Sequence, residues 1–421
     1  MSLIIPANTL ASGGYAVANS CRFNDATPDI LKNGTESNGN QKVWTLSMWI
    51  KRSKLGVRQS LWSWGSNSSS TGEIYIDAND FLVLNNDNQQ GSSNEVAGQL
   101  LDVSAWYHIV WRCDVTETNN IDRWRCYING VQRTLTDAAT VSNADGEINK
   151  NGTHQNWIGG AARSLQSGNP IYPFGGYIAE AVFVDGQALA PTEFGEFDED
   201  SGIWKPISVS GLTFGNEGVY LNFQNAAELG TDVSGNGNTY AETGLTAVDQ
   251  STDTCTNNFC TMNPLYPDGT ITFSEGNLKL TEGNSWRSAG GTMAVSQGKW
   301  FWEVLNVGNY AYIGFADIQL FNEGCSIRES FTTGAATTGK AHSVGNSDGR
   351  HYQVASSGSQ SSEYPAGATF STFTNSIIGV ALNLDDNNFI LYKDGTAMNS
   401  GTAISITAGT YIPAVSIYGN N

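Results

Sequence analysis

Gly298-Lys-Trp-Phe-Trp-Glu-Val304, Tyr312-Ile-Gly-Phe-Ala-Asp317, Ile377-Ile-Gly-Val-Ala-Leu-Asn-Leu-Asp-Asp-Asn-Asn-Phe-Ile-Leu-Tyr-Lys-Asp-Gly395 and Tyr411-Ile-Pro-Ala-Val-Ser-Ile-Tyr418 follow one another in the last third of the chain. In each, apolar side chains recur at alternate positions, the period of a strand with one buried face. Polar breaks separate them, such as Asp385-Asp386-Asn387-Asn388, whose side chains can hydrogen-bond their own turn. Many short strands joined by turns predict an antiparallel sandwich.

The same pattern fills the first half. Trp44-Thr-Leu-Ser-Met-Trp-Ile50 puts Trp44, Leu46, Met48 and Ile50 on one face and Trp49 on the other. Glu73–Asp77 and Phe81–Leu84 form an expected hairpin across Ala78-Asn79-Asp80. A second hairpin joins Trp106–Cys113 to Arg123–Val131, and the Asn129-Gly130 turn within it accepts positive φ. Trp157–Gly160 and Phe174–Val184 complete the set. Between the halves, turn residues dominate around one convincing strand, Val219–Phe223. Phe214, Tyr220, Leu221, Phe223, Phe259, Leu265 and Tyr266 are too many apolar anchors for a solvated tether.

The expected fold class is therefore all-β, with two antiparallel β-sandwich (jelly-roll) domains joined by an ordered connector. The expected boundaries are 1–197 for the first sandwich, 198–268 for the connector and 269–421 for the second. A chain of 421 residues is too long for one core, which agrees.

The net charge is −19, with 14% charged residues. That excludes a nucleic-acid binder, which needs clustered Lys and Arg against phosphate. It also disfavours adhesion to an anionic membrane, and the charge reads most simply as a solubility device. Met1–Asn8 has no basic segment and no long apolar run, so no secretory signal is expected and synthesis in a cytoplasm is. No apolar stretch reaches the roughly 18 residues of a membrane span.

Cys21, Cys113, Cys126, Cys255, Cys260 and Cys325 are too few for a disulfide scaffold. If the second hairpin is centred between Asn119 and Asn120, Cys113 and Cys126 lie directly opposite. A cross-strand disulfide is then geometrically open, with reduced thiols the alternative for a cytoplasmic protein. Cys255-x4-Cys260 lacks a second Cys or His pair nearby, so zinc is not expected.

The C-terminal phrases resemble a SPRY domain in order and spacing. The resemblance implies a β-sandwich that recognises partners through loops and carries no catalytic chemistry. A SPRY domain usually has one more strand after the Pro-Ala-Val-Ser phrase; here either the sequence is a shortened form, or another element or subunit supplies that strand. The first segment resembles a laminin G-type, concanavalin A-like jelly roll, most specifically at Trp106-x-His108-x-Val110 and Tyr127-Ile-Asn-Gly130. Together with the Ser-Gly-Asn-Gly-Asn stretch ending at Asn238 and the Thr256–Leu265 phrase, the combination resembles a type of virion protein of marine tailed bacteriophages, of the tail-fibre or capsid-associated kind. That implies a virion structural protein with a recognition role, binding a host-surface glycan or receptor. The alternative is a purely architectural capsid decoration or fibre protein that binds only other virion proteins. A homo-oligomer, a trimer by analogy with phage fibres, is implied, although no coiled-coil heptads accompany it.

Carbohydrate binding needs exposed aromatic platforms beside polar side chains. The candidates are Trp64, beside Gly65-Ser66-Asn67, and the loop residues Trp286, Arg287, Arg350, Tyr352 and Tyr364, which correspond roughly to the variable SPRY surface. Laminin G-type domains often carry calcium at the rim, so Asp77, Asn79 and Asp80 are candidate ligands, with turn chemistry as the plain alternative. An enzyme is not expected. Glycoside hydrolysis needs two carboxylates about 5 to 9.5 Å apart across a sugar ring. Glu73 and Asp77 share a strand face, with Tyr75 where an acidic catalytic strand would have Asp. His108 sits in a strand and reads as a packed sandwich residue, and no Gly-x-Ser-x-Gly elbow is present.

Overall fold

Alternation becomes two packed faces. In strand Val43–Arg52, Trp44, Leu46, Met48 and Ile50 enter the main core, while Trp49 joins a second cluster on the opposite side. The computed structural model describes residues 14–25, 29–34, 39–65, 71–86, 93–136, 141, 148, 155–161, 172–265, 270–308, 310–318, 341–345, 351–354, 360–361 and 374–419. The chain divides into two compact units, Met1–Phe259 and Cys260–Asn421.

The first unit is a sandwich of two antiparallel sheets. One runs in the order Val131–Arg133, Trp124–Ile128, Trp106–Asp114, Val43–Arg52, Gly176–Asp185, Ser20–Phe23 and Gln250–Ser251, with Val219–Leu221 also pairing to Gly176–Asp185. The other runs Ala241–Thr243, Ile30–Lys32, Gln155–Ile158, Gln59–Gly65, Thr71–Ile76, Phe81–Asn86 and Ser93–Gln99. Trp44, Trp62, Trp64, Trp111 and Phe183 fill the space between. The tight turn after Trp124–Ile128 uses Asn129 at φ 50° and Gly130 at φ 75°, the doubly left-handed geometry of a two-residue hairpin. Pro191–Glu193 is a single 3-10 turn.

The outer face of the first sheet is covered too. Val110, Val182 and Val184 pack under Phe194, Val209, Phe214 and Tyr220. Trp49, Trp106 and Tyr177 pack with Val17 and Trp204. This explains why all ten residues of Gly176–Asp185 are buried rather than every second one. Residues 198–259 thus supply an outer layer to this sheet and edge strands to both sheets. Glu180 falls at the register shift of its strand, at φ 48°. Burial raises its carboxyl pKa, and the Tyr220 and Tyr15 hydroxyls donate to its Oε2 at 2.6 and 3.2 Å.

The second unit is a smaller sandwich. Its six-stranded sheet runs Arg287–Gly290, Tyr411–Tyr418, Tyr310–Asp317, Ala341–Gly345, His351–Val354 and Gln360–Ser361. Its five-stranded sheet runs Lys299–Asn306, Ser376–Asn383, Asn388–Lys393 and Thr396–Ala397, with Ile404–Ser405 also pairing to Asn388–Lys393. Ile313, Phe315, Val415 and Ile417 from one sheet meet Ile378, Val380, Leu382, Phe389 and Leu391 from the other. Among the described residues no helix is long and apolar enough to cross a membrane.

The hairpin holding Cys113 and Cys126 corrects one expectation. Its register sets Cys113 against Trp124 and Trp111 against Cys126, because the helical turn Asn120–Arg123 absorbs part of the loop. The two cysteines are diagonal rather than opposite, and both are free, buried thiols, as is Cys21. Cys325 lies outside the described residues. Burial pushes the Cys126 thiol well above its ordinary pKa, which makes it inert to oxidants. We expect all three thiols to resist alkylation in the native protein and to react fully on denaturation without reductant. Mass spectrometry of the alkylated protein reads the result, and a species lacking two labels would show a bridge.

Candidate functional site

Two strands carry tyrosines on one face of the six-stranded sheet. Tyr310 and Tyr312 alternate with the core residues Ala311 and Ile313, and they oppose Tyr418 and Ser416 respectively. Trp286, in the loop just before Arg287–Gly290, lays its indole against both sides of this row. Its ring centroid lies 5.1 Å from Tyr312 and 5.5 Å from Tyr418, and Tyr310 meets Tyr418 edge-on at 6.0 Å. Trp286, Tyr312 and Tyr418 are half-buried and Tyr310 is exposed. The Ser416 hydroxyl on this face is buried and makes no hydrogen bond among the described residues. Four aromatic rings on one sheet face give a surface that can stack an apolar face, with tyrosine hydroxyls as the polar groups beside it.

The sequence candidates divide. Trp286 is in this cluster. Arg287 is not: it opposes Ile417, a core residue, so it points to the other face, and its Nη1 donates to the Trp286 carbonyl at 3.2 Å. Tyr352 lies in strand His351–Val354, and its side chain is outside the described residues, as are Arg350 and Tyr364. Trp64 is 1% exposed and is a core residue, not a platform. It opposes Gly72, whose missing side chain makes room: a Cβ there would sit 2.0 Å from the indole. Trp64 also meets Trp44 edge-on at 6.0 Å. Tyr310, Tyr312 and Tyr418 were not among the candidates, although their alternation with Ala311, Ile313 and Ile417 was legible.

At the hairpin tip of the first unit, Asp77 Oδ1 accepts the Asn79 and Phe81 N–H groups, both at 2.9 Å. Asp80 Oδ1 accepts from Arg52 Nη2 at 2.8 Å and from the Gly56 N–H at 2.9 Å. The Arg52 side chain is fully buried, and its guanidinium repels a second cation at that oxygen. The tip carboxylates therefore serve the turn and an ion pair, an arrangement that does not fit a calcium site. Among the described residues no cluster of three or more His, Cys, Asp or Glu could hold a metal ion. On the outer face of the second sheet, Glu73 Oε2 accepts from Arg58 Nη2 at 2.6 Å. The Arg58 guanidinium lies between Tyr75 at 3.9 Å and Tyr172 at 4.5 Å. Glu73 is thus bonded to a guanidinium rather than paired with a second carboxylate.

The first sandwich also has a match among known families. Residues 28–193 match the concanavalin A-like lectin/glucanases superfamily. The first unit thus carries a laminin G-like jelly roll, as its two sheets indicate. No curated protein matches the chain. Among solved structures, a Bacteroides ovatus protein named for carbohydrate binding is 15% identical at TM-score 0.37, covering 56% of this chain and 60% of its own. The chain thus spans less than two thirds of that protein. Mouse laminin alpha1 domains LG4-5 are 11% identical at TM-score 0.34, over 96% of this chain and 83% of theirs. The human HERC1 SPRY domain is 15% identical at TM-score 0.29, over 38% of this chain and 91% of its own. With every TM-score below 0.5, the fold assignment rests on the sheets and the family match.

Proposed function

We propose that this protein binds glycans, and that the Trp286, Tyr310, Tyr312 and Tyr418 cluster is a principal contact. The observation that carries the reading is the row of half-buried and exposed aromatic rings on one sheet face. A pyranose ring presents an apolar face and a rim of hydroxyls; the aromatic rings can stack the first and the tyrosine hydroxyls can bond the second. The match of residues 28–193, in the first unit, to a lectin and glucanase superfamily supports glycan binding by the chain; the aromatic cluster of the second unit rests on its own geometry. The chemistry is binding, by shape and hydrogen-bond complementarity, with weak sites multiplied by copies. The sequence resemblance to tailed-phage proteins supplies the setting: a virion component recognising a host-surface glycan. A second reading, a purely architectural virion protein, is favoured by the exposed apolar row Phe301, Leu305 and Ile377.

A glycan array of the full chain, run with calcium and with a chelator, tests the proposal. Binding in both conditions is expected, because the cluster contains no metal ligand. Binding lost with the chelator would move the site to oxygen ligands elsewhere. No binding at all would leave the architectural reading.

A further inference from the structure

We propose that the open edge of the five-stranded sheet pairs antiparallel with the same edge of a second copy of this chain, about a two-fold axis at Phe301. The edge strand is Lys299–Asn306, and among the described residues it pairs with Ser376–Asn383 alone. The Gly298 carbonyl accepts the Leu384 N–H at 2.9 Å, one step beyond the Lys299↔Asn383 pair. In an antiparallel ladder hydrogen-bonded pairs alternate. The even positions therefore bond inward, and Lys299, Phe301, Glu303 and Leu305 turn their N–H and C=O groups outward.

The same four residues place their side chains on the exposed face of the sheet. Phe301 is 59% and Leu305 60% exposed. The strand has no proline and no register shift to blunt its edge, so it is a template for another strand. Lys299 and Glu303 make no ion pair among the described residues.

Charge complementarity chooses the occupant and the register. A two-fold at Phe301 sets Lys299 of each copy against Glu303 of the other, and Phe301 against Phe301. Both charge pairs are attractive and the aromatic pair is directly opposed, the contacts that stabilise adjacent strands. The other two-fold registers are poorer. An axis at Glu303 opposes Glu303 to itself. An axis at Trp302 opposes Phe301 to Glu303 and Lys299 to Leu305. An axis at Trp300 opposes Lys299 to Phe301. The strand is thus self-complementary in one register, and the interface is isologous and closed, giving a dimer. This differs from the trimer implied by analogy with fibres, and it does not depend on glycan binding.

Sedimentation equilibrium of the full chain tests the proposal, with wild type, K299E, E303K and the K299E/E303K double variant. All the substituted side chains are exposed, and circular dichroism should show unchanged folding. The wild type should be a dimer. Each single variant opposes like charges twice and should dissociate about tenfold more readily. The double variant reverses both charges and should restore the wild-type dimer. A monomer at all concentrations, a trimer, a dimer indifferent to K299E, or a double variant no better than the singles would overturn it.

Discussion

Lys51→Met should destabilise the first unit by about 3–5 kcal/mol, the cost of leaving a buried ion without its partner. The Lys51 side chain is 1% exposed. Its ammonium donates to Asp253 Oδ2 at 2.8 Å, Asn258 Oδ1 at 2.8 Å and the Phe259 carbonyl at 2.7 Å. Those three acceptors satisfy all three of its donors. Asp253 is a hub in turn: its Oδ1 accepts from Trp106 Nε1 at 3.1 Å and from the Phe259 N–H at 3.2 Å. Its carbonyl accepts from the Ser20 hydroxyl at 2.6 Å. The substitution leaves the carboxylate buried and unbalanced, and frees the segment that closes this face. Urea unfolding followed by tryptophan fluorescence reports mainly the first unit, which holds nine of the 12 tryptophans. Adding Asp253→Asn to Lys51→Met should recover part of the loss, because the amide carries no charge yet still accepts from Trp106. A loss below about 1 kcal/mol would mean that the pair behaves as if exposed to solvent.

The second large effect is acid sensitivity. His108 is completely buried, with Trp49 stacked on its ring, centroids 4.6 Å apart, and Trp204 beside its edge, centroid at 5.9 Å. Trp204 Nε1–H donates to His108 Nδ1 at 2.9 Å. An indole N–H can only donate, so Nδ1 is the acceptor and Nε2 carries the proton, donating to Ser47 Oγ at 2.8 Å. Burial holds the imidazole neutral and pushes its pKa down to about 3 from the ordinary 6.5. Below pH 6.5 the unfolded chain takes up a proton that the folded chain refuses. Stability from this group is thus complete above pH 6.5 and falls by about 1.4 kcal/mol per pH unit down to pH 3. Between pH 6.5, where the unfolded imidazole is already half protonated, and pH 4.5 the loss should be about 2.3 kcal/mol. His108→Gln keeps an acceptor for Trp204 and a donor for Ser47 without titrating. Its stability should fall less steeply over that window, and parallel curves for the two proteins would contradict the account.

Strand positions and faces were legible because period-2 alternation is local. Trp44, Leu46, Met48 and Ile50 sit inside and Trp49 outside as their spacing required, and Tyr411–Tyr418 is a strand from end to end. The outer layer was not legible. Nothing in Gly176–Asp185 says what covers its second face; Phe214 and Tyr220 reach it from 29 and 35 residues beyond the strand's end. Trp64 misled because its neighbours Gly65-Ser66-Asn67 look like an exposed loop, whereas its burial is set by Gly72 across the ladder. The Cys113 and Cys126 register failed for a local reason: a loop read as a plain turn contains a helical turn. At the candidate site Trp286 was legible as an aromatic in a loop. Its partners were not, since Tyr312 and Tyr418 meet it only through pairing across the sheet.

The most direct test is a titration of the best array glycan into the wild type and Trp286→Ala, followed by calorimetry. Trp286 should behave as a hot-spot residue, and its truncation should weaken binding by about 2 kcal/mol, roughly thirtyfold, with the fold unchanged by circular dichroism. Tyr418→Ala should weaken it less, because only part of the stacked surface is lost. Unchanged affinity in Trp286→Ala would place glycan recognition elsewhere and contradict the site assigned to the aromatic cluster.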